Sequence, residues 1–384
     1  MLNFVVDKNI PFISGVLEPY ANVGYFDAKD ITAAAVMAAD ALLIRTRTRC
    51  NAALLQNSRV KFMATATIGS DHIDADFCQK NNIAWANAAG CNAGAVEQYV
   101  MTALLTLAHQ KGMSLCGKTM GVVGVGNVGK RVAATAERLG MHLLLCDQPR
   151  AQNEPNAHFV SLYEVAANAD VITFHVPLAL SGKDATYHLA GHDFFAQVGK
   201  KPIFINTSRG EVVDEECLRA AVVQQKIAAV ALDVWENEPH ISTATLDLAN
   251  IGTPHIAGYS AEGKAKASQM AVRAMARFFD LPLQTWQPQA LPPLPLHNLC
   301  SPAADLQNAL YRVYSQSYDI WADDAALRLH PHNGEELRNR YVLRREPQVC
   351  WLLPTKKALR DDVKPCESIT CKTAPQQGLE PWTP

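Results

Sequence analysis

A chain of 384 residues is too long for one ordinary hydrophobic core and implies two or three domains. Its 48% apolar and 19% charged residues make a globular composition, which excludes a largely disordered chain. A formal net charge of −2 gives no long-range field for nucleic acid or a membrane surface, and no apolar run is long enough to span a bilayer.

The N-terminus, MLNFVVDKNIPF, has no basic stretch leading into a long apolar one, so no secretory signal is expected there. FVVD (4–7), ALLIR (41–45), VKFMAT (60–65) and IAWAN (83–87) read as strands, with helical stretches such as ITAAAVMAAD between them. That alternation predicts a parallel sheet covered on both faces. A helix from Ala95 to about Gln110 leads into a second series. Its strands are TMGVVGVG (119–126), HLLLCD (142–147), DVITFHV (170–176), PIFINTS (202–208) and AAVALDVW (228–235), with a short one near NIGT (250–253). Six strands with a glycine loop after the first make a complete doubly wound sheet. A long helical pattern spans Ala261 to Phe279, and at 282–295 the composition turns proline-dense, as at a boundary. From Ser301 a helical segment with a tyrosine-rich face opens a third unit, and the chain after Pro347 reads as no regular fold. The ten cysteines form no CxxC pair and no zinc-like spacing with histidine, so no metal is expected and a reducing cytoplasm is.

Gly124-Val125-Gly126-Asn127-Val128-Gly129 follows a predicted strand and opens a predicted helix. In that context the glycines permit a tight turn, a close approach of backbone to a pyrophosphate, and helix-on-strand packing. The next strand ends in Asp147, where a carboxylate accepts hydrogen bonds from a ribose diol. Asp147 therefore favours NAD over NADP, with the nearby Arg150 as the opposing feature.

Three later segments place polar residues just beyond strand ends, the edge that faces the ligand crevice in such sheets. They are Asn206-Thr207-Ser208-Arg209-Gly210, the run from Asp233 to Pro239, and Thr253-Pro254-His255-Ile256-Ala257-Gly258-Tyr259. Hydride transfer at a hydroxyl-bearing carbon needs the residue types they supply. Arg209 can bind a carboxylate with two parallel hydrogen bonds, and His255 can take a hydroxyl proton. Glu238 beside the imidazole would fix its tautomer and favour its protonated form. Asp233 is placed to hydrogen-bond the nicotinamide side of the cofactor.

This set resembles the D-isomer-specific 2-hydroxyacid dehydrogenases over roughly residues 1–286. Residues 64–74, 89–93 and 255–264 are similar to one branch of that family, which oxidises a phosphorylated four-carbon aldonate in vitamin B6 synthesis. The resemblance implies two doubly wound parallel-sheet domains, for substrate and for NAD, plus a smaller C-terminal α+β domain that forms a homodimer. Their expected extents are 1–95 with 257–285, then 96–256, then 286–384. It implies Arg209, Glu238 and His255 as catalytic residues. It also implies Asp147, Val176, Thr207, Ser208, Arg209, Asp233 and Gly258 along the NAD cofactor, and Thr46, Thr67 and Tyr259 on the substrate. Arg45 joins the last group on chemical grounds, because Arg45-Thr46-Arg47-Thr48-Arg49 mixes cations and hydroxyls just past a strand end, as a phosphate-bearing substrate requires. Cys91 and His72 read as structural. Two alternatives stay open: another family member such as a phosphoglycerate dehydrogenase, and a non-enzymatic NAD-sensing corepressor on the same fold.

Overall fold

A computed structural model of the chain describes residues 1–154, 156–288, 291, 296–299 and 303–351. Its first sheet is wholly parallel and built from β1 (Leu2–Asp7), β2 (Ala21–Phe26), β3 (Ala41–Ile44), β4 (Phe62–Thr65) and β5 (Ala84–Asn87), in the order β2-β1-β3-β4-β5. β3 and β4 are buried along their whole length, which is why they read as unbroken apolar runs. β2 was not among the predicted strands. It is an edge strand in which Asn22 and Gly24 interrupt the apolar pattern, and the Phe26 ring covers the space above Gly24. The predicted helix in ITAAAVMAAD shrinks to Ala33–Val36. The chain must turn there to enter β3, and Asp40 anchors the turn by accepting the Asn3 amide at 2.9 Å.

The second sheet, also parallel, comprises β6 (Thr119–Val123), β7 (His142–Cys146), β8 (Val171–Phe174), β9 (Ile203–Asn206), β10 (Ala229–Leu232) and β11 (Ile251–Gly252). Its order, β11-β10-β9-β8-β6-β7, reverses direction between β6 and β8, and a crevice opens at such a point. Helix Ala93–Gln110 joins the two sheets and is apolar nearly all round, as a helix packed on several sides must be. After β11 the chain returns, and helix Ala261–Phe278 completes the first unit. Its Phe278 stacks on Phe62 at 4.8 Å, and Phe279 packs on Phe4 at 5.5 Å. The buried partners in these contacts, Phe4 and Phe62, contribute roughly 1.5–3 kcal/mol each.

The tyrosine-rich segment is two helices, Ala303–Ser317 and Ile320–Leu329, because Asp319 caps the second by accepting the Ala322 amide. Tyr314 donates to Glu97 at 2.8 Å, and Tyr318 packs against Tyr99 in the core beneath. A short helix, Gly334–Asn339, follows. The reading of no regular structure after Pro347 is corrected at its start, since Gln348–Trp351 pairs in parallel with Leu296–Leu299. Residues 352–384 lie outside the described residues. Among the described residues, no helix is long and apolar enough to cross a membrane, and no His, Cys, Asp and Glu group is placed to hold a metal.

Candidate active site

The glycine loop lies at the switch point between β6 and β8. Gly124 has φ +88°, and a Cβ there would sit 2.7 Å from the His175 carbonyl carbon, so no side chain fits. A Cβ on Gly129 would meet the Gly124 carbonyl oxygen at 2.0 Å. Gly126 instead faces open space, with nothing within 4 Å of a built Cβ, and it begins helix Asn127–Arg138 without a side-chain cap. The first-turn amides around Asn127 and Val128 are thus open to an anion, which is how this loop fits a dinucleotide pyrophosphate. Val176 lines the same edge at the end of β8.

Asp147 ends β7 with one carboxylate oxygen on the Val125 amide (2.8 Å) and the other on the Arg150 amide (3.2 Å). Two amides leave a carboxylate with spare lone pairs for a ribose diol. Arg150 does not oppose NAD, because its guanidinium is committed elsewhere. It pairs with both Glu154 oxygens (2.7 and 2.6 Å), donates to the Val125 carbonyl and lies over Phe159. We expect Asp147→Ala to raise KM for NAD roughly tenfold or more and to narrow the preference over NADP. An unchanged NAD to NADP ratio of kcat/KM would leave Asp147 with a capping role alone.

At the end of β9, Asn206 pins the following turn. Its amide donates to the Arg209 carbonyl, and its oxygen accepts from the Ser208 amide and hydroxyl. Thr207 bonds His175 at 3.3 Å. Arg209 reaches from this turn to the first unit, with its guanidinium 4.0 Å from Asp71 and against Gly69. Thr67 lies in that same loop, sharing a hydrogen bond with Thr65 (2.6 Å) and donating to the Gly69 carbonyl (3.4 Å). Arg209 therefore lies against the loop that carries Thr67.

Glu238 and His255 come together directly. Nδ1 of His255 bonds Glu238 Oε2 at 2.8 Å, while Glu238 Oε1 accepts the Trp235 amide at 3.0 Å. The Trp235 indole donates to the Thr253 carbonyl, tying the two loops together. Burial works to raise the Glu238 carboxyl, but the His255 hydrogen bond and charge, the Trp235 amide and Arg338 outweigh it and hold the group below the usual range. His255 has φ +60°, a conformation that costs a non-glycine residue roughly 1–3 kcal/mol and must be imposed by its surroundings.

Asp233 imposes part of it. It is 1% exposed, and its oxygens accept from the Thr253 hydroxyl and from the amides of Ile256 and Ala257 at 2.7–2.8 Å. Burial pushes its carboxyl up to about 6, against those donors and the charge of His255. Its observed contacts hold the histidine turn, a role that sequence reasoning did not assign to it. Arg344, from the C-terminal unit, holds the same turn from outside. It donates to the Ile256 carbonyl at 2.9 Å and to that of Ala257. Gly258 follows, packed against the Asn92 side chain.

The structure divides the basic run after β3. Arg45 is paired with the buried Asp7 at 2.9 Å, Arg47 is drawn to Glu335 and Asn339 on helix Gly334–Asn339, and Thr46 and Arg49 are exposed. The Tyr259 ring meets Tyr341 edge-on at 5.9 Å and carries the Lys264 amine over its face at 4.3 Å. Sequence reasoning missed Lys264, and it also missed Arg338, which lies 3.6 Å from Glu238. Cys91 is buried, with its thiol pushed up to about 11 chiefly by that burial, which makes it no nucleophile.

Residues 91–257 match the family described as D-isomer specific 2-hydroxyacid dehydrogenase, NAD binding domain. An erythronate-4-phosphate dehydrogenase of Bacteroides fragilis is 45% identical over 92% of this chain and 100% of its own length. One from Edwardsiella ictaluri is 41% identical over 97% and 98%. The chain belongs to the erythronate-4-phosphate dehydrogenase branch of the D-isomer-specific 2-hydroxyacid dehydrogenase family. As a member it is an NAD-dependent 2-hydroxyacid dehydrogenase. The fold agrees. A D-lactate dehydrogenase from Aquifex aeolicus, solved with NAD and lactic acid, is 25% identical with a TM-score of 0.58, covering 76% of this chain and 100% of that one. The relatives that match along nearly the whole dehydrogenase favour this branch over the phosphoglycerate dehydrogenases.

Proposed function

We propose that the chain oxidises 4-phospho-D-erythronate at C2 to the 2-oxo acid, the activity for which its relatives are named. The observation that carries this reading is the 2.8 Å bond between His255 and Glu238, on a turn held by Asp233 and Arg344 beside the crevice. NAD, bound along the glycine loop, supplies the acceptor for the hydride that leaves C2. With Nδ1 committed to Glu238, Nε2 of His255 is the nitrogen left to take the hydroxyl proton. Glu238, held ionised, offsets the positive charge that the imidazole gains. Arg209 binds the substrate carboxylate with parallel hydrogen bonds and polarises the C2 oxygen. Thr46, Thr67 and Tyr259 contact the remainder of the substrate, while Val176, Thr207, Ser208, Asp233 and Gly258 border the cofactor.

The reading extends to a cytoplasmic homodimer. Free cysteines among the described residues support the compartment. The exposed Trp321, Leu329 and Val342 of the C-terminal unit support self-association there. The test is an assay of the purified full-length chain with NAD against phosphorylated and plain 2-hydroxy acids. NADH formation fastest with 4-phospho-D-erythronate is expected. A higher kcat/KM for 3-phosphoglycerate or D-lactate would overturn the substrate.

A further inference from the structure

Lys264 differs from the other cations around the crevice. It lies in the first turn of helix Ala261–Phe278, immediately after the histidine loop, with its amine over Tyr259. Carboxylates on the surrounding loops have other partners: Asp7 has Arg45, Glu238 has His255 and Arg338, Glu262 has Arg345, and Glu346 accepts from the Ser260 hydroxyl. No described carboxylate forms an ion pair with Lys264. Burial first, and then the like charges of Arg45 and Arg338, pull its amine below the ordinary lysine value, against the opposing influence of Tyr259. A half-buried ammonium without a counter-charge is costly unless an anion completes it. Its Tyr259 platform packs on Tyr341 at 5.9 Å, three residues beyond Arg338, which itself lies 3.6 Å from Glu238.

These three cations come from three separate pieces of the chain: the end of β3, the helix after His255, and the C-terminal helix Gly334–Asn339. Arg47 and Arg49 are poorer candidates for the same anion, the first being tied to Glu335 and Asn339 and the second exposed. Arg45 spends one edge of its guanidinium on Asp7, and Arg338 reaches Glu238 only at 3.6 Å. Each retains donors for a further oxygen.

We propose that Lys264, with Arg338 and Arg45 as helpers, receives the phosphate of the substrate, and that this subsite selects a phosphorylated 2-hydroxy acid over a plain one. The assignment rests on the substrate class proposed above and gives the C-terminal unit a part in specificity through Arg338.

The test compares wild type, Lys264→Gln, Lys264→Arg and Arg338→Gln as full-length protein. Two quantities are measured: the ratio of kcat/KM for 4-phospho-D-erythronate over D-erythronate, and the affinity for inorganic phosphate as a competitive inhibitor or by direct titration of the NAD complex. Lys264→Gln is expected to lower both about 10- to 100-fold, as loss of a charge-assisted hydrogen bond does, with KM for NAD near wild type. Lys264→Arg retains part of each. Arg338→Gln, on a largely exposed helix that tolerates substitution, lowers the ratio by a smaller factor. An unchanged ratio and unchanged phosphate affinity in Lys264→Gln would overturn the subsite. Should wild type fail to oxidise 4-phospho-D-erythronate yet bind phosphate in a Lys264-dependent way, the substrate falls and the phosphate site stands.

Discussion

Replacing His255 with alanine lowers kcat at least about 100-fold, the usual loss when a general acid–base group is removed. The expectation follows from the 2.8 Å bond that leaves Nε2 as the only ring nitrogen free to exchange a proton. Backbone strain is separated from proton transfer by a second variant. Position 255 has φ +60°, which asparagine adopts more readily than most residues. His255→Asn therefore keeps the turn but cannot cycle a proton, and it should lose as much turnover as His255→Ala. KM for NAD stays close to wild type in both, because the glycine loop is untouched. Wild-type-like turnover in either variant would remove His255 from the chemistry.

The second large effect is expected at a residue that has no place in the proton transfer itself. Arg344 is 8% exposed and donates to the carbonyls of Ala95, Ile256 and Ala257, to Gln98 and to Tyr341, with its guanidinium over the Tyr318 ring at 4.4 Å. Arg344→Met fills much of the volume but orphans several buried acceptors, a loss of roughly 3 kcal/mol or more in stability. It also releases the loop that holds His255 at positive φ, so kcat falls as well. Denaturant unfolding read beside steady-state kinetics checks both. A variant as stable as wild type would show that water replaces the guanidinium without cost.

Features that depend on a few neighbouring residues were legible in the sequence. The glycine loop and Asp147 form a local cradle whose requirements are written at fixed spacing, and the structure keeps Gly126 open at the helix start. Glu238 and His255 could be paired because each follows a strand of one sheet, and strand order brings their loops side by side. Arg338, Arg344 and Lys264 escaped for the opposite reason. Arg344 finds Gln98 and Ala95 across nearly 250 positions, and nothing in ELRNRYVLRRE separates it from a solvated arginine. Arg45 was read by composition alone, and only the fold reveals that the buried Asp7 claims one edge of it. β2 was hidden because an edge strand needs little apolar content.

Two connections run between the sheets, one leading into Ala93 and the other through Gly258 into Ala261, and Asn92 packs against both Gly258 and Gly263. Arg344 donates at once to the Ala95 carbonyl, in the first turn of helix Ala93–Gln110, and to those of Ile256 and Ala257 in the second connection. The two sheets are thus tied together where these connections cross. Two further links join separate pieces of the chain: Arg209 with Asp71 between loops of the two sheets, and Arg47 with Glu335 between the first unit and helix Gly334–Asn339.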